Sequence, residues 1–140
     1  MADSRMTEQL AYIIASVNRQ LEEELRESLR PAGVPIEQLR ILDALDRAGA
    51  LPMGELATRA LVEPPTLTKI IDRMVADSLV FRTPDPADRR RVIILLAPAG
   101  KALHKRLRKL AAAQEQRLAK ELSQGKAEEL RVLLRELIGE

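Results

Sequence analysis

The sequence predicts a mainly helical fold carrying one small β-hairpin, of the α+β class. Three observations predict it. Apolar residues recur at helical spacing through most of the 140 residues. One stretch near residue 90 breaks that spacing, with β-forming residues on either side of the turn-forming "PDPAD". The only aromatic residues are Tyr12 and Phe81, so the core must be built from Leu, Ile, Val, Ala and Met, which suits packed helices. The length is that of about one domain.

The elements follow in order. From Thr7 to about Leu29, apolar residues at Leu10, Ile13, Ile14, Val17, Leu21, Leu25 and Leu29 keep helical spacing, with charge on the opposite side. "RPAGVP", residues 30–35, ends that helix. A second helix runs from about Ile36 to Arg47, with Gly49 as its stop. A short helix over about Met53–Ala60 and a break at "LVE" lead to a helix opening with Pro64 and Pro65. Proline is tolerated there because first-turn N–H groups lack helical partners. That helix continues to about Asp77. Leu79–Thr83 and Arg91–Leu96 read as paired strands, a long helix covers about Pro98–Leu122, and a last one covers roughly Lys126–Ile138. No repeat, low-complexity tract or linker interrupts the chain, so residues 1–140 are expected to form one domain. Two helices joined by a tight turn and followed by a hairpin make a winged helix-turn-helix, here spanning about 36–97, with helices over about 7–30 and 98–138 on either side.

Composition excludes several kinds of chemistry. With no cysteine, disulfides, thiolate metal sites and thiol redox switches are absent. His104 stands alone, which leaves almost nothing for a histidine metal cluster or a Ser-His-Asp arrangement. No cofactor is implied. The opening "MADSRMTEQL" lacks an apolar secretory region, and the run Val92–Leu96 is too short to cross a bilayer, so a soluble cytoplasmic chain is expected. The net charge of +2 conceals an uneven distribution. Residues 82–109 carry nine Lys or Arg against Asp85 and Asp88, while the rest of the chain is slightly acidic. Such asymmetry is the footprint of a polyanion-binding surface.

The helix starting at Pro64 and the hairpin tip are where that surface is expected. With Leu67 set at zero, Ile70, Ile71, Met74 and Val75 lie within about 80° of it and form the buried stripe. The far side carries Pro65, Lys69 and Asp72, with Thr66, Thr68 and Arg73 on the shoulders. Hydroxyls and long cations in the first half of a helix suit insertion into a DNA groove. Asp72 counts mildly against DNA, unless it pairs with Lys69 or orients Arg73. Hairpin tips are solvated and tolerate arginine, but three in a row (Arg89, Arg90, Arg91) at the end of a two-stranded wing suit the negative potential of a minor groove. Strand alternation should point Arg90 away from its two neighbours. Asp88 is placed to hold the Arg90 guanidinium, and Arg82 on the partner strand extends the basic edge.

Residues 55–100, "ELATRALVEPPTLTKIIDRMVADSLVFRTPDPADRRRVIILLAPAG", resemble the helix-turn-helix and wing of the MarR family of bacterial transcriptional regulators. Leu56-Ala57, Thr66 to Met74, Leu79-Val80 with Arg82, Asp88-Arg89-Arg90 and Leu96 to Gly100 match the family pattern in order, and the flanking helices fit its architecture. The resemblance implies a homodimer that binds a pseudo-palindromic operator in double-stranded DNA, usually repressing transcription until a small molecule releases it. By position, Arg90 resembles the wing arginine that enters the minor groove and Asp88 the residue that steadies it, while Thr66, Thr68, Lys69 and Arg73 occupy recognition-helix contact positions. Two departures stand out. Ala97 replaces a threonine whose hydroxyl would cap the following helix, worth about 1 kcal/mol. Ser78 stands where glycine usually ends the recognition helix.

The outer helices carry broad apolar faces, including Leu10 and Val17, Leu103, Leu107, Leu110, Leu118 and Leu122, and Leu130, Leu133, Leu134, Leu137 and Ile138. The intervening chain is too short to cover all of them, so a symmetric partner is expected to do so. Family members often bind small effectors between these helices and the DNA-binding lobe, and Tyr12, Asn18, Arg19 and His104 are the polar residues available to line such a pocket. The bland alternative makes Asn18 and Arg19 solvated helix faces, Tyr12 a packing residue and His104 an ordinary surface histidine. The competing function is a helical dimeric adaptor that binds no DNA, which would leave the wing arginines replaceable. An enzyme is disfavoured because no nucleophile has a base beside it.

Overall fold

The computed structural model describes residues 5–140; the first four residues of the charged opening stretch lie outside them. After a single 3-10 turn at Met6–Glu8, the elements are α1 (Leu10–Leu29), α2 (Ile36–Ala48), β1 (Ala50–Pro52), α3 (Met53–Ala60), α4 (Pro64–Ala76), β2 (Val80–Pro84), β3 (Val92–Leu96), α5 (Pro98–Leu122) and α6 (Gln124–Leu137). The predicted order stands, and the helix bounds agree to within a few residues. Contacts divide the chain into two compact units, one ending at Leu107 and one over Arg108–Glu140, so the division falls inside α5. No helix among the described residues is long and apolar enough to cross a membrane.

The predicted two-stranded hairpin is a three-stranded antiparallel sheet in the order β1-β3-β2. β3 runs down the middle, pairing Leu96 with Val80 and Val92 with Pro84 on one side, and Leu95 with Ala50 and Ile93 with Pro52 on the other. β1 escaped the sequence because three residues ending in proline show no periodicity, and proline is acceptable at a strand edge. One face of the sheet is apolar and covered: Val80, Ile94, Leu96 and Leu51 are all buried. They join Leu29 from α1, Ile41, Leu42 and Leu45 from α2, Leu56 from α3, and Leu67, Ile71 and Met74 from α4 in one aliphatic core. The α4 stripe is the one the sequence predicts, with Ile70 and Val75 half-buried at its edges.

The two helices of the helix-turn-helix end in the same way. The Val62 N–H bonds the Ala57 carbonyl (3.0 Å) and the Leu61 N–H bonds Thr58 (3.3 Å), with Leu61 left-handed at φ 59°. After α4, the Leu79 N–H bonds Met74 (2.9 Å) and the Ser78 N–H bonds Val75 (3.0 Å), with Ser78 at φ 60°. Both are Schellman caps whose left-handed residue is not glycine. The family's glycine at position 78 therefore has a backbone reason, and Ser78 holds the conformation under strain.

The exit from α4 is joined to the start of α5. The Leu79 carbonyl accepts from the Ala97 N–H (3.0 Å), and Gly100 sits so close to that carbonyl that a Cβ would overlap its oxygen. Gly100, His104 and Leu107 form the buried stripe of the first turns of α5. Ala97 is itself buried, so the residue that lacks a capping hydroxyl lies inside this joint.

Other ties run through α2. Glu22 of α1 accepts from Arg40 of α2 (3.0 Å), from Arg26 (3.0 Å) and from Asn18 (3.3 Å). The Arg40 hydrogen bond holds the Glu22 carboxyl below the usual glutamate range, against the opposing effect of burial. In the second unit, Arg131 of α6 pairs with Glu115 of α5 and with Glu128. Ser123 takes φ 70° and accepts from the Lys126 N–H to start α6.

Gly100→Ala should push α5 off the Leu79 carbonyl and lower stability by about 1–3 kcal/mol, read by urea or thermal unfolding. Because the Glu22 carboxyl is depressed in the fold, its stabilisation is present above the unfolded glutamate range and fades as pH falls through the folded value. Glu22→Gln is therefore expected to be less stable than the parent at pH 7, by up to about 1 kcal/mol, with the gap closing as pH falls below the usual glutamate range. A gap that does not depend on pH would show that the Arg40 contact acts through packing alone.

Candidate nucleic-acid interface

α4 presents its polar side outward. Pro65, Thr66, Thr68, Lys69, Asp72 and Arg73 are all exposed, opposite the buried Leu67, Ile71 and Met74. Some of these groups are occupied locally. The Thr68 hydroxyl donates to the Pro64 carbonyl (3.2 Å), and Arg73 Nε bonds Asp77 Oδ2 (3.3 Å). Asp72 pairs with neither Lys69 nor Arg73, the two partners considered from the sequence; it accepts from Arg82 of β2. Arg82 follows Val80 on the sheet face turned toward the helices, which is why it reaches α4. The ion pair neutralises the one carboxylate on the outward face of the helix. It also ties that face to the wing.

The wing tip is a compact turn and not an extension of the strands. The Asp85 N–H bonds the Arg91 carbonyl (2.9 Å) and the Arg91 N–H bonds the Asp88 carbonyl (2.9 Å). Within it, each aspartate caps the N–H two residues on: Asp85 Oδ1 accepts from Ala87 (2.9 Å) and Asp88 Oδ1 from Arg90 (3.1 Å). Because residues 86–91 are not strand, alternation does not direct Arg89, Arg90 and Arg91, and the turn does. All three are exposed. Arg90 is 94% exposed at its side chain, with Nε 3.5 Å from Asp88 Oδ1. Arg91 lines a shallow depression with Pro52, Met53, Gly54, Glu55 and Val92, at the start of α3. Neither Arg89 nor Arg91 has a carboxylate partner among the described residues.

The remaining candidate residues have different neighbours. Asn18 donates to Glu22 and Arg19 bonds Glu23 (3.2 Å), both along α1, and Tyr12 is exposed on the same helix. His104 is not a surface histidine. It is buried on α5, with Nε2 3.3 Å from Asp43 Oδ1 and Nδ1 3.7 Å from Asp46 Oδ1 of α2. Asp43 in turn holds Arg47 (3.1 Å). The acids at 43 and 46 carried no signal in the sequence, since an i,i+3 pair on a helix surface is ordinary.

Comparison with known proteins places this arrangement. A model of the MarR family matches residues 32–91, from the end of α1 to the wing tip. An HTH-type transcriptional regulator of Mycobacterium bovis is 32% identical over 122 residues, covering 87% of this chain and 80% of that protein. The chain belongs to the MarR family. Its structure is similar to that of a mutant MarR from E. coli solved with operator DNA, with TM-score 0.82, 29% identity, and coverage of 91% of this chain and 92% of the other. It is also similar to NadR solved in complex with 4-hydroxyphenylacetate, with TM-score 0.86, 26% identity and 99% coverage of both chains. This MarR-family protein is thus a DNA-binding transcriptional regulator, and its winged helix-turn-helix is the fold the sequence predicts.

The Asp72–Arg82 pair should be measurable as a coupling between helix and wing. A double-mutant cycle with Asp72→Asn and Arg82→Gln, followed by chemical unfolding, is expected to return about 0.2–1 kcal/mol, the range for an exposed ion pair. Strict additivity of the two substitutions would mean that the wing is placed by the sheet alone.

Proposed function

We propose that this MarR-family chain is a repressor that acts as a homodimer on a pseudo-palindromic operator, in the cytoplasm, and is released by a small molecule. The observation that carries the reading is that Asp72 and Arg82 tie the outward face of α4 to β2, the strand that leads into the arginine tip. In it, α4 enters the major groove through Pro65, Thr66, Thr68, Lys69 and Arg73. The tip, with Arg89, Arg90 and Arg91, reaches phosphates and the adjacent minor groove, as a wing beside a recognition helix can. Asp88 fixes the turn and steadies Arg90, and Arg82 serves mainly through its tie to Asp72. Residues 36–97 form the DNA-binding lobe.

Dimerisation is supported by apolar side chains that the single chain leaves bare. Leu10 is 73% exposed and Leu137 71%, and Val17, Leu122, Leu130, Leu133 and Leu134 are also exposed. Leu118 is half-buried, and Leu107 is excluded from this face because it packs within its own unit. So much bare aliphatic surface on α1 and α6 suits a second copy. A two-fold dimer spaces two copies of α4 for half-sites one DNA turn apart. Binding of an effector is supported by the similarity to NadR, solved in complex with 4-hydroxyphenylacetate, a small aromatic anion. Tyr12, Asn18 and Arg19 are the exposed polar groups of α1 that an effector would meet, whereas His104 of α5 is buried beside Asp43 and Asp46.

The reading is tested by fluorescence anisotropy with DNA upstream of the protein's own gene, at several salt concentrations, beside a nonspecific duplex. Two chains per duplex and a steep fall of affinity with salt are expected. Arg90→Ala should weaken operator binding roughly tenfold while leaving the thermal midpoint nearly unchanged, because its side chain is almost fully exposed. Equal affinity of variant and parent would remove the wing from the interface.

A further inference from the structure

We infer that Lys69 is the base-reading cation of α4 and that it selects guanine in each half-site, an inference that rests on the DNA-binding reading above. Three cations of the lobe already have a carboxylate nearby. Arg73 bonds Asp77 at 3.3 Å, Arg82 is held by Asp72, and Arg90 lies 3.5 Å from Asp88. Asp72 is the residue three positions on from Lys69 and would otherwise be its natural partner, but Arg82 occupies it. Lys69 is exposed, carries three donors and has no carboxylate partner among the described residues. It is the sixth residue of α4, within the first two turns, and helical side chains lean toward the N-terminus. That end of a recognition helix faces the base edges.

The chemistry then narrows the base. In the major groove guanine offers two adjacent acceptors, N7 and O6, which an ammonium can satisfy together. Adenine offers only N7 with an amino donor beside it, and cytosine presents a donor, so each is a poorer partner for an ammonium. Thymine offers one acceptor beside a methyl group. Thr66 lies one turn before Lys69 on the same exposed side, and its hydroxyl has no partner among the described residues. Thr68, whose hydroxyl turns back to Pro64, is the less available of the two. Thr66 thus supplies a methyl and a hydroxyl beside the Lys69 contact, which suits a neighbouring thymine.

The test is selection of duplexes from a randomised library by the full-length parent, Lys69→Gln, Lys69→Ala and Arg73→Gln, followed by anisotropy on the selected duplexes at several salt concentrations. The parent should enrich one guanine per half-site, and its replacement by adenine should weaken binding roughly five- to hundredfold. Lys69→Ala should bind both duplexes alike, Lys69→Gln should shift toward adenine, and Arg73→Gln should keep the guanine preference. A uniform loss for Lys69→Ala on every duplex, with the salt slope reduced by about one, would make Lys69 a phosphate contact and overturn the inference. Selection of a consensus that none of the Lys69 variants alters would overturn it while sparing the DNA-binding reading. Failure of the parent to select any sequence would sink both.

Discussion

The carbonyl of Leu79 is the joint on which the DNA-binding lobe depends. It lies one residue after the left-handed Ser78 that closes α4, and one before the strand that rises into the wing. It accepts the Ala97 N–H and forms the floor on which Gly100 rests. Recognition helix, wing and α5 therefore meet within one residue's reach, and the orientation of one fixes the other two. A methyl group at position 100 would separate them. Glycine in the first turn of a helix is ordinarily a small loss of stability, and here it is the condition for close approach.

From that joint the charge arrangement follows. β2 leaves Leu79 with Val80 turned to the core, so Arg82, two residues on, lies on the same side and meets Asp72. An acid that looked unsuited to a DNA-facing helix becomes a brace. The cations of the lobe thus divide into those with a carboxylate nearby and those without. Arg73, Arg82 and Arg90 have carboxylates nearby, while Lys69, Arg89 and Arg91 have none among the described residues.

How much of this was legible in the sequence depended on the range of the interaction. The helices, the α4 stripe through Leu67, Ile71 and Met74, and the concentration of charge over residues 82–109 are local patterns and were read in order. The nearness of Asp88 to the Arg90 guanidinium is legible from their spacing, while its bond to the Arg90 N–H depends on the turn. β1 was not, because three residues hold no period and become a strand only by pairing with β3. Strand alternation cannot direct the three tip arginines, because residues 86–91 form a turn. His104 looked like a surface residue, since the carboxylates that face it lie some sixty positions earlier.

The sequence by itself determined the order of elements, the aliphatic core and the place where positive charge accumulates, because each is written in short-range spacing and composition. The tertiary structure alone decided which acid answers which base, that a glycine is obligatory at position 100, and which cations remain uncommitted. Those outcomes depend on distances between residues far apart in the chain, and no local pattern encodes a distance of that kind.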